Sequence, residues 1–544
     1  MKKIETKGLG ILNAQNFEKA VANAFSNVYV MLSRSVGWAN TSNSANLDDI
    51  TIEVPYENVQ YKNNLLSKGI ILKRITSADM HPVVPRVDWT TSTIYSAYDH
   101  TANLYLKVID TALSGNVNVS NTLANTVNTT NLTSLNLAFA SPAISAGDFI
   151  TIGEEKREIV YINSVGDFLQ VNSNFSTAYT QQKIYKSVDY TPSYGNKFYV
   201  RNSADQVFKC LFNNANGSST IMPEITLGGD LPESPYIETS DGYKWKYLYT
   251  IPGSLKNRFF TDKYMPVVRD TVVYSNRGEG RIDIVQILNG GNGYFQGSTQ
   301  NNYSILSVSG TGTGANLSVD VLNGVITEVN IIDGGSDYSI ADITIGDPLK
   351  LPATANANLR AVISPALGHG ADPVQELGAS DLMLSVDFSG DMNELYPTKN
   401  DGTTTYRQVC LVNNPLIDNT TAPAYSSVEP MYTKLFVASP SVGEFPPGSY
   451  IYVGNENNPT FLATVIYFDT VENIIYVNDI DGNAQDIEGE TVYQLGASSN
   501  YAQVFSITLP NINIFSGEIL YIENRSKIAR HPDQTETVKI VLEF

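Results

Sequence analysis

The chain has 544 residues, of which 42 % are hydrophobic and only 17 % charged, with 55 carboxylates against 35 lysines and arginines. That length exceeds one ordinary core and implies about three or four domains, while abundant Asn, Ser, Thr, Tyr and Gly fit a turn-rich β protein better than a helical enzyme. A formal charge of −20 argues against nucleic acid as a partner, because that affinity comes from Lys and Arg neutralising phosphates.

Apolar residues Phe17, Val21, Phe25, Val28 and Leu32 recur at three- and four-residue spacing, which predicts an amphipathic helix over about 14–34. A second helix is expected over Tyr56–Lys68, with strand-like Ile70-Ile71-Leu72 and Val83-Val84 beyond it. The Asn/Thr/Ser/Leu tract from Asn116 to Asn136 has no strong period and reads as a linker or irregular arm. It leads into short strands, Phe149–Ile152, Ile159–Ile162 and Phe168–Val171, parted by Gly-Asp and Gly-Glu turns. Such a segment should close as a small β-barrel or folded-over sheet. The design returns later: Ala438-Ser439-Pro440 echoes Ala140-Ser141-Pro142, and Gly448–Gly454 echoes Gly147–Gly153.

The turn Asp241-Gly242 launches a strand whose alternate positions Tyr243, Trp245, Tyr247 and Tyr249 are aromatic, with Lys244, Lys246 and Leu248 opposite. Rings so arranged pack either the chain's own core or a dimer interface, and the residues alone leave both open. Between the two similar inserts runs a repeat: Ile282–Tyr294 matches Ile326–Tyr338, beginning 44 residues later, each copy an alternating strand ending in a Gly-Gly turn and a Tyr that can pack back over it. A phosphate-cradling reading of those glycines fails because no helix is expected to follow.

Candidate chemistry is sparse. Cys210 and Cys410 have no metal-ligand spacing and look buried, each in a Cys-Leu-x-Asn-like strand running into an Asn-Asn turn, Asn213-Asn214 and Asn413-Asn414. Of the four histidines, His81, His100, His369 and His531, only His369 stands in a suggestive setting: Gly368-His369-Gly370 with Asp372 and Glu376 nearby. It reads either as a metal or acid–base site or as a glycine-enabled turn whose His bonds neighbouring carbonyls. Asp479, Asp481, Asn483 and Glu490 occupy the first, third, fifth and twelfth positions of a calcium-loop pattern, but Ala484 replaces the turn glycine and strands flank it, so a solvated acidic hairpin is the alternative. No metal and no cofactor is implied. No long apolar run appears and Met1-Lys2-Lys3-Ile4-Glu5 lacks a signal-peptide core. Membrane insertion is therefore not expected, and the protein is expected to be made and kept in the cytosol or to leave it only by lysis.

The blocks Lys197–Val200, Val207–Asn214 and Asp241–Thr250 resemble a recurring stretch in tail proteins of T-even-like contractile-tailed bacteriophages. Ile363–Gly378, with its Gly-His-Gly, and Gly517–Arg525, ending Glu523-Asn524-Arg525 before Asp533-Gln534-Thr535 and Lys539–Leu542, are similar to that group's baseplate wedge subunit usually numbered eight. The resemblance spans about Tyr95 to Phe544 discontinuously, and the inserts at about 107–187 and 434–500 look longer than that family's minimal form requires. It implies a non-enzymatic, mainly β, multidomain protein with sandwich-like bodies, assembled in the host cytoplasm into the virion's tail baseplate. Its partners would be itself, as a homodimer, and other baseplate wedge proteins. The expected organisation is an N-terminal body part over 1–106, a β insert over 107–187, the aromatic-strand domain over 188–275, the Gly-rich repeat over 276–362, a body domain over 363–433, a second insert over 434–500 and a closing body segment over 501–544. The competing reading is a host-surface polysaccharide binder or depolymerase built on the β repeat, although no carboxylate pair recurs with it.

Overall fold

The computed structural model describes residues 7–22, 27–35, 59–98, 198–226, 236–275, 277–304, 306–345, 355–365, 367–389, 405–438, 440–441, 445–530 and 534–544, with the backbone of six strands between 110 and 187. The fold is mainly β with few helices. It divides into two compact units, one of Met1–Asn13, Pro82–Asp381 and Glu543–Phe544, the other of Ala14–His81 and Leu382–Leu542.

In the second unit an antiparallel five-stranded sheet runs in the order Val428–Pro430, Gly69–Arg74, Val28–Ser33, Thr405–Asn413, Glu518–Ala529. Its central strand corrects the predicted helix over 14–34: the helix is Lys7–Ala22, and Val28–Ser33 is a strand buried at every residue. A strand covered on both faces is apolar along most of its length, here from Val28 to Leu32, so its residues satisfy a helical period as readily as a strand's. The second helix runs Val59–Ser67. Across the sheet a row of polar side chains pairs in register: Ser33 Oγ donates to Gln408 Oε1 (3.2 Å) and Gln408 Nε2 donates to Asn524 Oδ1 (2.8 Å).

Two six-stranded barrels close, one in each unit. In the first the order is Asp110–Val119, Thr130–Ser134, Phe168–Val171, Glu155–Ile162, Phe149–Ile152, Tyr179–Ser187. In the second it is Thr433–Ala438, Ile474–Asp481, Asn458–Asp469, Tyr450–Asn455, Thr491–Gln494, Ala497–Thr508. Aligned on the echoed Gly147–Gly153 and Gly448–Gly454 segments, five strands follow each other identically. The closing strand differs: in the first barrel Asp110–Val119 precedes the shared five and pairs with both of their ends, whereas in the second Ala497–Thr508 follows them and does the same. The two modules are thus circular permutations of one closure. This corrects the linker reading of Asn116–Asn136, since part of that tract supplies two barrel strands; a barrel strand needs apolar residues only at alternate positions, so Thr and Asn between Val and Leu carry no strong apolar signal.

The first unit holds the aromatic sheet, ordered Tyr199–Arg201, Gln206–Asn213, Tyr243–Thr250, Ile237–Glu238. Tyr243, Trp245 and Tyr247 share a core with Tyr95, Phe208 and Cys210, while Tyr249 joins Val207, Leu248 and Met265 in a neighbouring one. Tyr243 and Trp245 stack at 5.3 Å with Tyr95 edge-on to both. These rings fill the chain's own interior. The repeat behaves as its sequence requires. Gly291 and Gly335 both take φ +65°, and a Cβ on either would lie 2.7 Å from a backbone nitrogen (Ala357, Ala315) and 2.8 Å from the following Tyr ring. Asn289 and Asp333 accept from the glycine N–H at 2.8 and 2.9 Å. Tyr294 of the first copy packs on Val319 and Val321 of the strand Thr313–Leu322 and on Ile326 of the second copy, so the copies share a core.

Candidate functional site

Within the first unit, one strand of the aromatic sheet carries an anomaly: Lys209 lies inside Val207-Phe208-Lys209-Cys210-Leu211, buried to the amine. Its cross-strand partner is Lys246, and like charges directly opposite repel. The arrangement holds because carboxylates meet them. Lys209 Nζ donates to Glu376 Oε1 at 2.7 Å, with side-chain exposures of 0 and 2 %. The Nδ1 of His369 donates to the same oxygen at 2.6 Å, and Gly370 N–H donates to Glu376 Oε2 at 2.7 Å. On the other edge of the imidazole, Nε2 lies 3.0 Å from Asp283 Oδ2, close enough to pair but out of hydrogen-bond alignment. Tyr98 closes the cluster, its ring centroid 3.3 Å from Lys209 Nζ and its edge against His369.

Local sequence explains the placement. Gly368 and Gly370 take φ +84° and +76°, a region L residues avoid; a Cβ on Gly370 would also run into Val273 Cγ1. The turn aims His369 inward. Asp372 then caps Pro373–Leu377 by accepting from Gln375 N (3.1 Å), Pro373 starts it, and left-handed Gly378 ends it. That short helix presents Glu376. Asp372, the other acid of the sequence reading, is spent on the cap. His369 therefore sits in a glycine-enabled turn, as one reading held, but it bonds the Glu376 carboxylate and not a carbonyl.

Burial alone would raise the Glu376 carboxyl, yet Lys209 and His369 hold it well below the usual carboxylate range. Burial lowers the Lys209 and Lys246 amines, against the pull of Glu376 and Asp283. The cluster is sealed, with no room for a substrate, so its chemistry is that of a tie: it joins the sheet, the 368–378 turn and helix, and the first repeat strand Ile282–Asn289. Sequence reasoning missed Lys209, Asp283 and Tyr98 because they come from separate segments. A usable signal was present in the lysine and aspartate set inside the apolar runs Val207–Phe212 and Ile282–Val285, which demand buried partners.

The other sequence candidates are also structural. Asp241 accepts from Thr220 N (2.7 Å), Ile221 N (2.9 Å), Ser219 Oγ (3.2 Å), Thr239 Oγ1 (2.5 Å) and Tyr243 N (3.3 Å). Burial would raise this carboxyl, but these donors hold it down. Gly242, at φ +80°, leaves room for Asn214, whose Nδ2 donates to Asp241 O at 3.0 Å. Asn214 and Asn414 both adopt left-handed backbone, φ 47° and 48°, but the turns diverge after them, through left-handed Ala215 and Asn216 in one and Pro415 in the other. Cys210 and Cys410 are buried free thiols whose ionisation burial pushes up.

The calcium-loop residues do not converge. Asp479 accepts from Ser67 Oγ at 2.7 Å and pairs with Lys68 at 3.4 Å, Asn483 caps Ala484–Ile487, and Asp481 and Glu490 point to solvent. Among the described residues no group of three His, Cys, Asp or Glu side chains is arranged to hold a metal ion. Glu523 pairs with Arg525 (3.0 Å) beside Asn524, on the edge strand Glu518–Ala529. His100 and His531 lie outside the described residues. A groove of about 740 Å³ in the same unit is lined by Tyr98, Phe212, Asn214, Lys244, Gln286 and Arg360. No protein-family model matches the chain, and no curated protein matches it.

Proposed function

We propose that the protein is a structural subunit of a contractile phage tail baseplate wedge, acting through homodimerisation and contacts with neighbouring wedge proteins. The observation that carries this reading is the direction in which the family-like residues face. Asp241, Gly242, Tyr243, Trp245 and Tyr247 build a turn and a core, while Gly368, His369 and Gly370 build a sealed ion cluster. Residues spent on rigidity suit a protein that must hold position while its neighbours rearrange. Buried rings and a desolvated ion network resist local opening, and net negative charge keeps the free subunit dissolved until specific contacts form. The test is quantitative mass spectrometry of tails purified from the virus that encodes the chain. A fixed copy number relative to other tail proteins is expected; a chain found only free in the lysate would overturn the proposal.

The groove walled by Gln286 of the first repeat copy and Thr327 of the second keeps a polysaccharide-binding or depolymerase reading in view. Reducing-sugar release from host polysaccharide, abolished by replacing Glu328 in that groove, would favour it.

A further inference from the structure

The barrel of the second unit presents an aromatic stripe outward. Along its strands Ile451, Val453, Val492, Ala502 and Val504 point into the core, so the alternate positions face out. Register sets Tyr452, covered to 5 % exposure, opposite half-buried Tyr493, and Tyr493 opposite Tyr501, with ring centroids 5.7 and 6.0 Å apart. Phe505 continues the stripe on the same strand as Tyr501 and meets Phe436 at 6.3 Å. Tyr501 and Phe505 are 43 and 56 % exposed, large apolar areas to leave in water.

The barrel closure does not require a ring at position 452. In the echoed segment of the first barrel, Thr151 stands where Tyr452 does. Charge separates the modules too. Between Thr433 and Thr508 there are nine carboxylates and one lysine, whereas residues 110–187 hold six carboxylates against four lysines and arginines. Three of the nine, Asp486, Glu488 and Glu490, lie exposed on a turn bound to the stripe's own strand: Gly489 N donates to Val504 O at 2.8 Å and Val504 N to Glu490 O at 2.9 Å. The acidic edge therefore runs beside Phe505.

We infer that this face docks an Arg- and Lys-rich segment of a partner protein. Guanidinium groups lie over tyrosine and phenylalanine faces while pairing with adjacent carboxylates, and the two attractions reinforce each other where the rings exclude water. The charge argues against the other occupants. A second copy would set the same carboxylates against each other, and nucleic acid or an anionic membrane would be repelled. A neutral sugar would use the rings and leave the acidic edge unmatched. The inference does not depend on the tail assignment.

The experiment titrates the full chain with a fluorescent ten-residue peptide of alternating Arg and Gly, and with a Gln-Gly counterpart, by polarisation and calorimetry. Saturable one-to-one binding of the Arg peptide alone is expected. The Tyr501→Ala/Phe505→Ala variant, which keeps every charge, should bind at least tenfold more weakly. Glu488→Gln/Glu490→Gln should weaken binding and flatten its salt dependence. Both pairs are exposed, and an unchanged melting temperature shows that the variants are folded. Equal binding by the aromatic variant would mean diffuse attraction to a polyanion and would overturn the inference. So would no saturable Arg-peptide binding, or neutral oligosaccharide binding that this variant loses.

Discussion

Replacing Glu376 with Gln tests the ion tie most sharply. The side chain is nearly isosteric, yet it removes the charge that accepts from Lys209 at 2.7 Å and from His369 at 2.6 Å. The Lys209 ammonium is then buried against an amide, with like-charged Lys246 across the strand. Stranding one member of a buried pair costs about 3–5 kcal/mol. For a domain of a few hundred residues each kcal/mol shifts the transition by about 2–4 °C, so a fall of roughly 6–20 °C is expected. Differential scanning calorimetry of the full chain, with urea titration for the free energy, measures it. A cycle with Lys209→Met adds the decisive control: with the ammonium gone, Glu376→Gln should cost far less, leaving a coupling energy of several kcal/mol. A loss below about 1 kcal/mol, or additive effects in the cycle, would refute the reasoning.

Acid unfolding should report the same carboxylate. Because Glu376 titrates below its unfolded value, its contribution is complete above the unfolded carboxylate range near pH 4.3 and is lost as pH falls further; the Gln variant should show a shallower loss of stability there by urea titration. Gly370→Ala, forced into positive φ and against Val273, should destabilise by more than the roughly 1–2 kcal/mol of backbone strain alone, measured by the same titration. Asp241→Asn, which weakens a carboxylate with five donors, should cost about 1.5–3 kcal/mol and speed amide exchange at Thr220 and Ile221. Cys210 and Cys410 should resist a thiol reagent in the folded protein and react once it is unfolded, since neither exposure nor thiolate is available.

What the sequence made legible was local. The Gly-Gly-x-x-Tyr repeat, the Asp-Gly turn and the glycine-enabled turn around His369 are short-range stereochemistry, and each appears where φ requires it. Short strands parted by Gly-Asp and Gly-Glu turns, echoed in the second segment, pointed to a small barrel or folded-over sheet, and both modules close as barrels. What failed was long-range. Val28–Ser33 is buried at every position because both faces are covered, a fact of the sheet and not of the segment. The Lys209–Glu376–Asp283 cluster joins residues far apart in sequence, so Glu376 was visible only as a neighbour of His369, and His369's second partner was not visible at all. The permuted closure of the barrels hides in sequence because the closing strand lies on opposite sides of the matched segments.

The central claim is that the protein works by assembling, and the most direct measurement is its mass in solution by light scattering. The account predicts a stable dimer, twice the 59.5 kDa of the chain, whose mass survives the Tyr501→Ala/Phe505→Ala change because the acidic face is not the self-contact. A trimer, the form expected of a fibre or depolymerase, would contradict it.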